Sequence, residues 1–292
     1  MKSLTHHIAL VTGASRGVGK GIALALADAG ATVYLTGRTV KDGKLDEDLS
    51  GTIYETAKAA TQLGAADGPI GRGIALPCDH RNDAEVKAAV QRILDEQGRI
   101  DILVNNVWGG YEYIDGDENT PFTWFNKFWE QPLWRWDAMF QAGVRAHFVT
   151  SALVARAMVV QRTVAQRSGL IVNISYWAGQ KYQNNVIYGV AKTADDRMAK
   201  DMAYELREHN VAAVSLYPGL VRTERVLRNA QHFDMSNAES PEFTGRAILA
   251  LATDPHVMEK SGQTLVAADL ALAYGFTDMD GRQPIPLTLE TS

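Results

Sequence analysis

Tyr188 and Lys192, in the run Tyr188-Gly-Val-Ala-Lys192, are the residues of this chain whose types and spacing most directly allow proton chemistry. Side chains four positions apart share a helical face, so an ammonium would lie beside a phenol. A phenol with a pKa of about 10 is a poor acid at neutral pH, and a neighbouring positive charge lowers that value by favouring the phenolate. Such a phenol could give a proton to an oxygen gaining negative charge, or take one in the reverse sense. Pairs of this kind also arise by chance on helices, so the spacing alone leaves the role open.

A second stretch, Ile8 to Gly21 (IALVTGASRGVGKG), has the makings of a phosphate cradle. Ile8 to Val11 read as a strand, Thr12 with Gly13, Gly17 and Gly19 as a tight turn, and Ile22 to Ala27 as helix. Glycines there let backbone N–H groups and the helix N-terminus, whose dipole favours negative charge, come close to a pyrophosphate. The strand before and the helix after are the context that such a motif requires. The alternative is an ordinary strand-to-helix turn. Dinucleotide folds that bind NAD carry an acid at the end of the second strand, and those that bind NADP carry a basic residue nearby. Here Gly37 holds the acid's place, Arg38 follows it and Arg16 lies in the glycine turn. Two guanidinium groups could grip a 2′-phosphate, so NADP(H) is expected in preference to NAD(H), unless both arginines are merely solvated.

To bring these residues together, the chain must place several strand ends along one edge. Apolar runs of strand length alternate with helix-length segments throughout, the signature of an α/β chain with a parallel sheet covered on both faces. Strands are expected at Ile8–Val11, Ala31–Thr36, Gly73–Pro77, Ile100–Val104, Gly169–Ser175, Val211–Tyr217 and Gln263–Ala267. Helices are expected after the glycine turn, over Thr52–Leu63, from Asn82, over Trp136–Gln161 and Tyr188–His209, and from Ser240-Pro241, where Pro takes a favoured first helical position. No linker divides the chain, so one doubly wound domain over residues 1–292 is expected. Thr39 to Gly51 reads as a polar surface loop. An aromatic-rich insertion at 107–135 carries Trp108, Tyr111, Tyr113, Phe122, Trp124, Phe125, Phe128, Trp129 and Trp134. It either walls a substrate site or seals the sheet edge. A tail follows from residue 269.

The TGxxxGxG turn, the YxxxK pair and the strand just before it together resemble the classical short-chain dehydrogenase/reductase family, over about Ile8 to Ala267. That resemblance implies a single-domain Rossmann fold of about seven strands. It also implies hydride transfer between a nicotinamide and a small apolar or aromatic carbonyl or alcohol, with Tyr188, Lys192 and Ser175 as catalytic residues. Residue by residue, it implies that Gly13, Ser15, Arg16, Gly17, Val18 and Gly19 contact the cofactor and that Asp79 contacts the adenine. Asn105 supports the central strand near the cofactor, and Pro218, Gly219, Val221 and Thr223 fold over the nicotinamide amide. Lys192 also bonds the nicotinamide ribose.

The chain departs from the family pattern in three places. Val107-Trp108 stand where Ala-Gly are usual, implying a bulkier wall beside the nicotinamide. Ser175 lies thirteen residues before Tyr188, as the family's carbonyl-binding serine does, yet counting along the strand from Gly169 puts Tyr176 there. Successive strand residues face opposite sides, so only one hydroxyl can face the site, and Ser175 is the expected one. The family's helix asparagine becomes Gly143, which keeps the carbonyl that would hold a relay water and permits a distorted helix. More narrowly, the missing asparagine, the insertion and the tail Tyr274 to Arg282 resemble the subgroup that includes dehydrogenase/reductase member 1.

The same resemblance implies a homodimer or homotetramer, paired through the helices at Trp136–Gln161 and Tyr188–His209. Histidines are scattered apart from His6-His7, so no metal site is expected, and His147 reads as a packing or interface residue. A net charge of -5 without a basic cluster argues against nucleic acid. The single Cys78 permits no intrachain disulfide, which fits a reducing compartment. No run approaches membrane-spanning or signal length, so a cytoplasmic location without a membrane partner is expected. Gly143 and the serine question also leave a second reading, a non-catalytic NADP-binding sensor or scaffold of the same fold.

Overall fold

The computed structural model describes residues 3–41, 49–65, 71–112, 121–162 and 169–292. Ala9 and Val11 face one side of the sheet while Ile8 and Leu10 face the other, and the same alternation divides Val33 and Leu35 from Tyr34, and Leu170 and Val172 from Ile171. Seven parallel strands result: β1 Ile8–Val11, β2 Thr32–Gly37, β3 Arg72–Pro77, β4 Ile102–Asn105, β5 Gly169–Ile174, β6 Val211–Tyr217 and β7 Thr264–Val266. They lie in the order β3-β2-β1-β4-β5-β6-β7. The order reverses between β1 and β4, and ligands of open α/β sheets bind outside the carboxyl ends of the strands at such a point.

Nine helices accompany them among the described residues: α1 Gly17–Asp28, α2 Ile53–Gly64, α3 Asp83–Gln97, α4 Leu133–Met139, α5 Ala146–Arg162, α6 Val186–Leu206, α7 Glu224–Arg228, α8 Pro241–Thr253 and α9 Ala267–Tyr274. Helices α1, α2, α8 and α9 bury apolar side chains on one face of the sheet, and α3, α5 and α6 on the other. Their starts follow local chemistry. Thr52 and Glu55 form a capping box, Asn82 caps α3, and Ser240 caps α8 with Pro241 first in the helix.

Three expectations are corrected here. The helix expected over Trp136–Gln161 begins at Leu133 and is interrupted by a π-helical stretch, Phe140–Arg145, around Gly143. By length and composition the stretch Leu133–Gln161 is apolar enough to cross a membrane, contrary to the reading that no run approaches such length. In this fold it buries Met139, Ala146, Val154 and Met158 and leaves Leu133, Phe148 and Val160 exposed. Lastly, residue 269 lies inside α9, which ends at Gly275 in the left-handed conformation. Beyond it Asp278 is buried and accepts from Arg222 and from the Ser240 backbone, tying the last residues to the segment after β6. The expected loop at Thr39–Gly51 lies partly, and Tyr113 wholly, outside the described residues.

Candidate active site

In the turn after β1, the glycines answer to packing as much as to ligand approach. Gly13 has φ +66°, and a Cβ there would lie 2.7 Å from Val107 Cα, while one on Gly19 would lie 2.4 Å from Asn106 Nδ2. Asn106, which the sequence did not single out, clamps the turn by donating to Thr12 O and Gly13 O, both at 3.0 Å. Its neighbour Asn105 is fully buried and donates to Ser151 and Asn173, joining β4 to β5 and α5. The start of α1 fits an anion: the Gly17 N–H donates to the Glu224 carboxylate at 2.8 Å, so the chain's own negative charge sits at this helix N-terminus. At the end of β2, a Cβ on Gly37 would lie 2.9 Å from Ile53 Cγ2, leaving little room for an acid. Arg38 is exposed there, and Arg16 donates to Gly51 O. Asp79 is held by a two-pronged bond to Arg81. Burial alone would raise its carboxyl, and the Arg81 bonds with the Arg38 charge bring it below the usual range.

Tyr188 sits in the first turn of α6, where Asn185 caps the helix by accepting from the Tyr188 N–H at 3.0 Å. The same Asn185 donates to Trp124 O at 2.9 Å, fastening the aromatic segment to the helix that carries the phenol. Trp124 packs on Tyr188 with centroids 5.1 Å apart, and Trp108 meets it edge-on at 5.6 Å. Tyr111 and Phe122 stack on Trp124 from outside. Arg135, fully buried, bonds Gly110 O and Thr123 and lies over Phe122. The segment is thus divided. Phe125, Phe128 and Trp129 are exposed, whereas Trp108, Tyr111, Phe122 and Trp124 form one cluster with Tyr188. The Trp108 indole nitrogen is buried without a hydrogen-bond partner among the described residues, a donor that these residues leave unused.

Ser175 and Tyr176 turn to different surroundings. Ser175 turns its hydroxyl to Lys192 O at 3.2 Å, while Tyr176 joins the aromatic cluster around Tyr188. Alternation across the strand end explains both orientations. Lys192 is also arranged differently. Its ammonium donates to Ile174 O at 3.0 Å and to Asp195 at 3.3 Å, lies 4.1 Å from the Trp108 ring and is 6.0 Å from the Tyr188 ring. The lowered phenol expected from the Tyr–Lys pair is therefore not found. Burial pushes the Tyr188 phenol well up, helped by Tyr111, Tyr176 and Asp195. Gly143 keeps its place in the distorted helix, but a Cβ there would lie 2.8 Å from the Trp108 ring, so the indole fills the space of the absent side chain.

After β6, the Gly219 N–H donates to Glu239 at 3.0 Å, and Val221 pairs with Glu239 as an isolated bridge. Thr223 caps α7, and a Cβ on Gly17 would touch its methyl group at 3.2 Å. The structure therefore brings Gly17, Thr223, Asn106 and Val107 around one turn. Among the described residues no group of three or more His, Cys, Asp or Glu side chains could hold a metal.

This sheet order, glycine turn and Tyr–Lys helix define a nicotinamide-dependent oxidoreductase fold, and the chain matches the short chain dehydrogenase family over residues 7–232. It belongs to that family. It is 43% identical to dehydrogenase/reductase SDR family member 1 of Mus musculus, covering 94% of this chain and 84% of the mouse protein. Among solved structures, a putative dehydrogenase from Xanthomonas campestris aligns with a TM-score of 0.76 at 26% identity, covering 98% of both chains. A metagenomic short-chain oxidoreductase in complex with NADP aligns with a TM-score of 0.66 at 27% identity, covering 90% of this chain and 96% of the other.

Proposed function

We propose that this oxidoreductase uses NADP(H) to interconvert a small apolar or aromatic carbonyl compound and its alcohol. The observation that carries the proposal is the buried Tyr188 phenol, set among Trp108, Tyr111 and Trp124 with Lys192 one turn along the same helix. When bound, the nicotinamide supplies or accepts the hydride. Tyr188 gives its proton to the carbonyl oxygen as that oxygen gains negative charge. Lys192 bonds the nicotinamide ribose, and Tyr176 takes the role of second hydroxyl in place of Ser175. The aromatic cluster excludes water and favours apolar substrates.

The crowded Cβ direction at Gly37, with Arg38 next to it and Arg16 near, favours a 2′-phosphate over a ribose hydroxyl, and the NADP complex of the metagenomic relative supports the same reading. Ser15 and Val18 line the same turn, Asp79 contacts the adenine, and Pro218, Gly219, Val221 and Thr223 cover the nicotinamide amide. Assembly as a homodimer or homotetramer would use the outward faces of α5 and α6, where Phe148, Val160, Val190 and Tyr204 are exposed. Purified protein screened with NADPH and NADH against a carbonyl panel tests the reading. NADPH oxidation with aromatic ketones or aldehydes is the expected result. Tight NADPH binding with no oxidation across the panel would instead indicate a sensor or scaffold.

A further inference from the structure

Asp195 has no exposed surface, yet it carries a charge, and a carboxylate taken wholly out of water is costly unless it is paired. Its two oxygens are divided between partners: Oδ1 lies 2.8 Å from His147 Nδ1, and Oδ2 lies 3.3 Å from Lys192 Nζ. The other ring nitrogen of His147 lies 2.9 Å from Val107 O. The Asp195 backbone carbonyl accepts from Asn173 at 3.0 Å, and Asn173 in turn accepts from Asn105. The carboxylate is thus held from α5 and α6, and the backbone of the same residue from β5. Replacing such a buried ionic set with packed apolar residues is often neutral or stabilising, so stability alone does not account for it.

What the arrangement does fix is the Lys192 ammonium. That group has three N–H donors: Ile174 O and Asp195 take two, while Trp108 offers only a ring face. Gly143 provides no side chain, and the indole fills that space. We propose that Asp195, anchored by His147, is a positioning residue that sets the Lys192 ammonium so that its third N–H faces the bound cofactor. This rests on the ribose role proposed above for Lys192. Asp195 also lies near the acid, since the Lys192 ammonium that it bonds at 3.3 Å is 6.0 Å from the Tyr188 ring. Facing Tyr188 are Tyr111 from the segment after β4, Tyr176 from the end of β5, and Lys192 and Asp195 from α6 itself; facing Asp195 are His147 from α5, Lys192, and Asp196 beside it. Burial first, then Tyr111 and Tyr176, raise the Tyr188 phenol, and the Asp195 charge adds to that direction.

The test compares Asp195→Asn, Lys192→Ala and the double variant, each checked for folding by circular dichroism. NADPH affinity is read by fluorescence titration, and carbonyl reduction is followed against pH. Removing a charged hydrogen-bond partner should weaken NADPH binding about tenfold in Asp195→Asn, and less than about twofold when Lys192 is already alanine, because the effect passes through Lys192. The alkaline limb of reduction should move to lower pH in Asp195→Asn, since Tyr188 loses a nearby negative charge. Asp195→Glu, which keeps that charge, should return the limb toward its native position and serves in its own right if the asparagine variant does not fold. Equal losses of affinity in both backgrounds, or a lowered melting temperature with affinity and limb unchanged, would overturn the proposal. Unchanged NADPH affinity in Lys192→Ala would overturn the ribose role itself. A loss in Lys192→Ala with none in Asp195→Asn would overturn only the part assigned to Asp195.

Discussion

The turn after β1 and the segment after β4 meet at Val107, and they hold their geometry by different means. In the turn, backbone atoms set the shape: Gly13 leaves no room for a Cβ against Val107, and Asn106 grips two main-chain carbonyls. In the segment, side chains set it, through stacked rings at Tyr111, Phe122 and Trp124 and the buried Arg135 beneath them. A backbone-built site suits a ligand part that never varies, such as a pyrophosphate. A site lined by side chains can change shape by substitution, which suits the part of the reaction where substrates differ.

Tyr188→Phe acts on the phenol that the side-chain-built region encloses and should have the largest effect. It removes the proton donor and keeps the ring that Trp108 and Trp124 pack against. Turnover should fall by about 10²- to 10⁴-fold, the range typical of general acids, with NADPH affinity by fluorescence nearly unchanged. Retention of more than about a tenth of activity would place the proton donor elsewhere.

On the backbone-built side, Arg38→Asp sets a carboxylate against the proposed 2′-phosphate position. Loss of one charge-assisted partner costs about 1.5–3 kcal/mol, so NADPH affinity should fall about ten- to a hundredfold relative to NADH. An unchanged ratio of the two dissociation constants would remove Arg38 from cofactor selection.

How much of this could be read from the sequence differs between the regions. The strands, the glycine turn and the Tyr188–Lys192 pair were legible because each is local: periodicity marks the strands, and spacing along one helix marks the pair. Asn106 was not legible, since its partners Thr12 and Gly13 lie more than ninety residues away. Asp195 gave no signal and His147 read only as a packing or interface residue, because a buried carboxylate and its partner on another helix look in sequence like two ordinary polar residues. Which way Ser175 and Tyr176 face was not legible, because with a loop one residue short the count along the strand and the count back from Tyr188 point to different residues. Gly143 could be read as permitting a distorted helix, as found, but its contact with Trp108 could not, and that contact makes Gly143→Asn a packing problem as well as a chemical one.

Trp124→Ala and Trp129→Ala sharpen the side-chain half. Trp124 stacks within the cluster on Tyr188, whereas Trp129 is exposed. Loss of an aromatic contact worth ~1 kcal/mol beyond its buried area should raise KM for bulky aromatic carbonyls about tenfold in Trp124→Ala, with the dissociation constant of NADPH little changed. Trp129→Ala should leave the ratio of KM values for large and small substrates flat. Equal effects of the two changes would mean that the segment acts as one structural plug.

The smallest effect concerns stability, and it belongs to the segment expected to lie over the cofactor. Glu239 is 2% exposed and accepts from the Gly219 N–H. Burial raises its carboxyl from the ordinary 4.5 to about 7, the Gly219 bond working against that rise and Asp278 with it. A raised pKa means that the folded protein binds this proton more tightly than the unfolded chain does. The stabilisation is therefore complete below about pH 4.5 and is lost as pH rises through about 7. Glu239→Gln keeps an oxygen for the Gly219 N–H and has no charge to bury at any pH. Native protein and variant should melt at similar temperatures at about pH 5, and by about pH 8 the variant should be the more stable, by on the order of 2 kcal/mol, a few degrees for a chain of this size. Melting curves of both proteins across that range decide the matter. A constant difference between them would mean that Glu239 stays ionised throughout, and that the turn after β6 is held by a carboxylate rather than by a carboxylic acid.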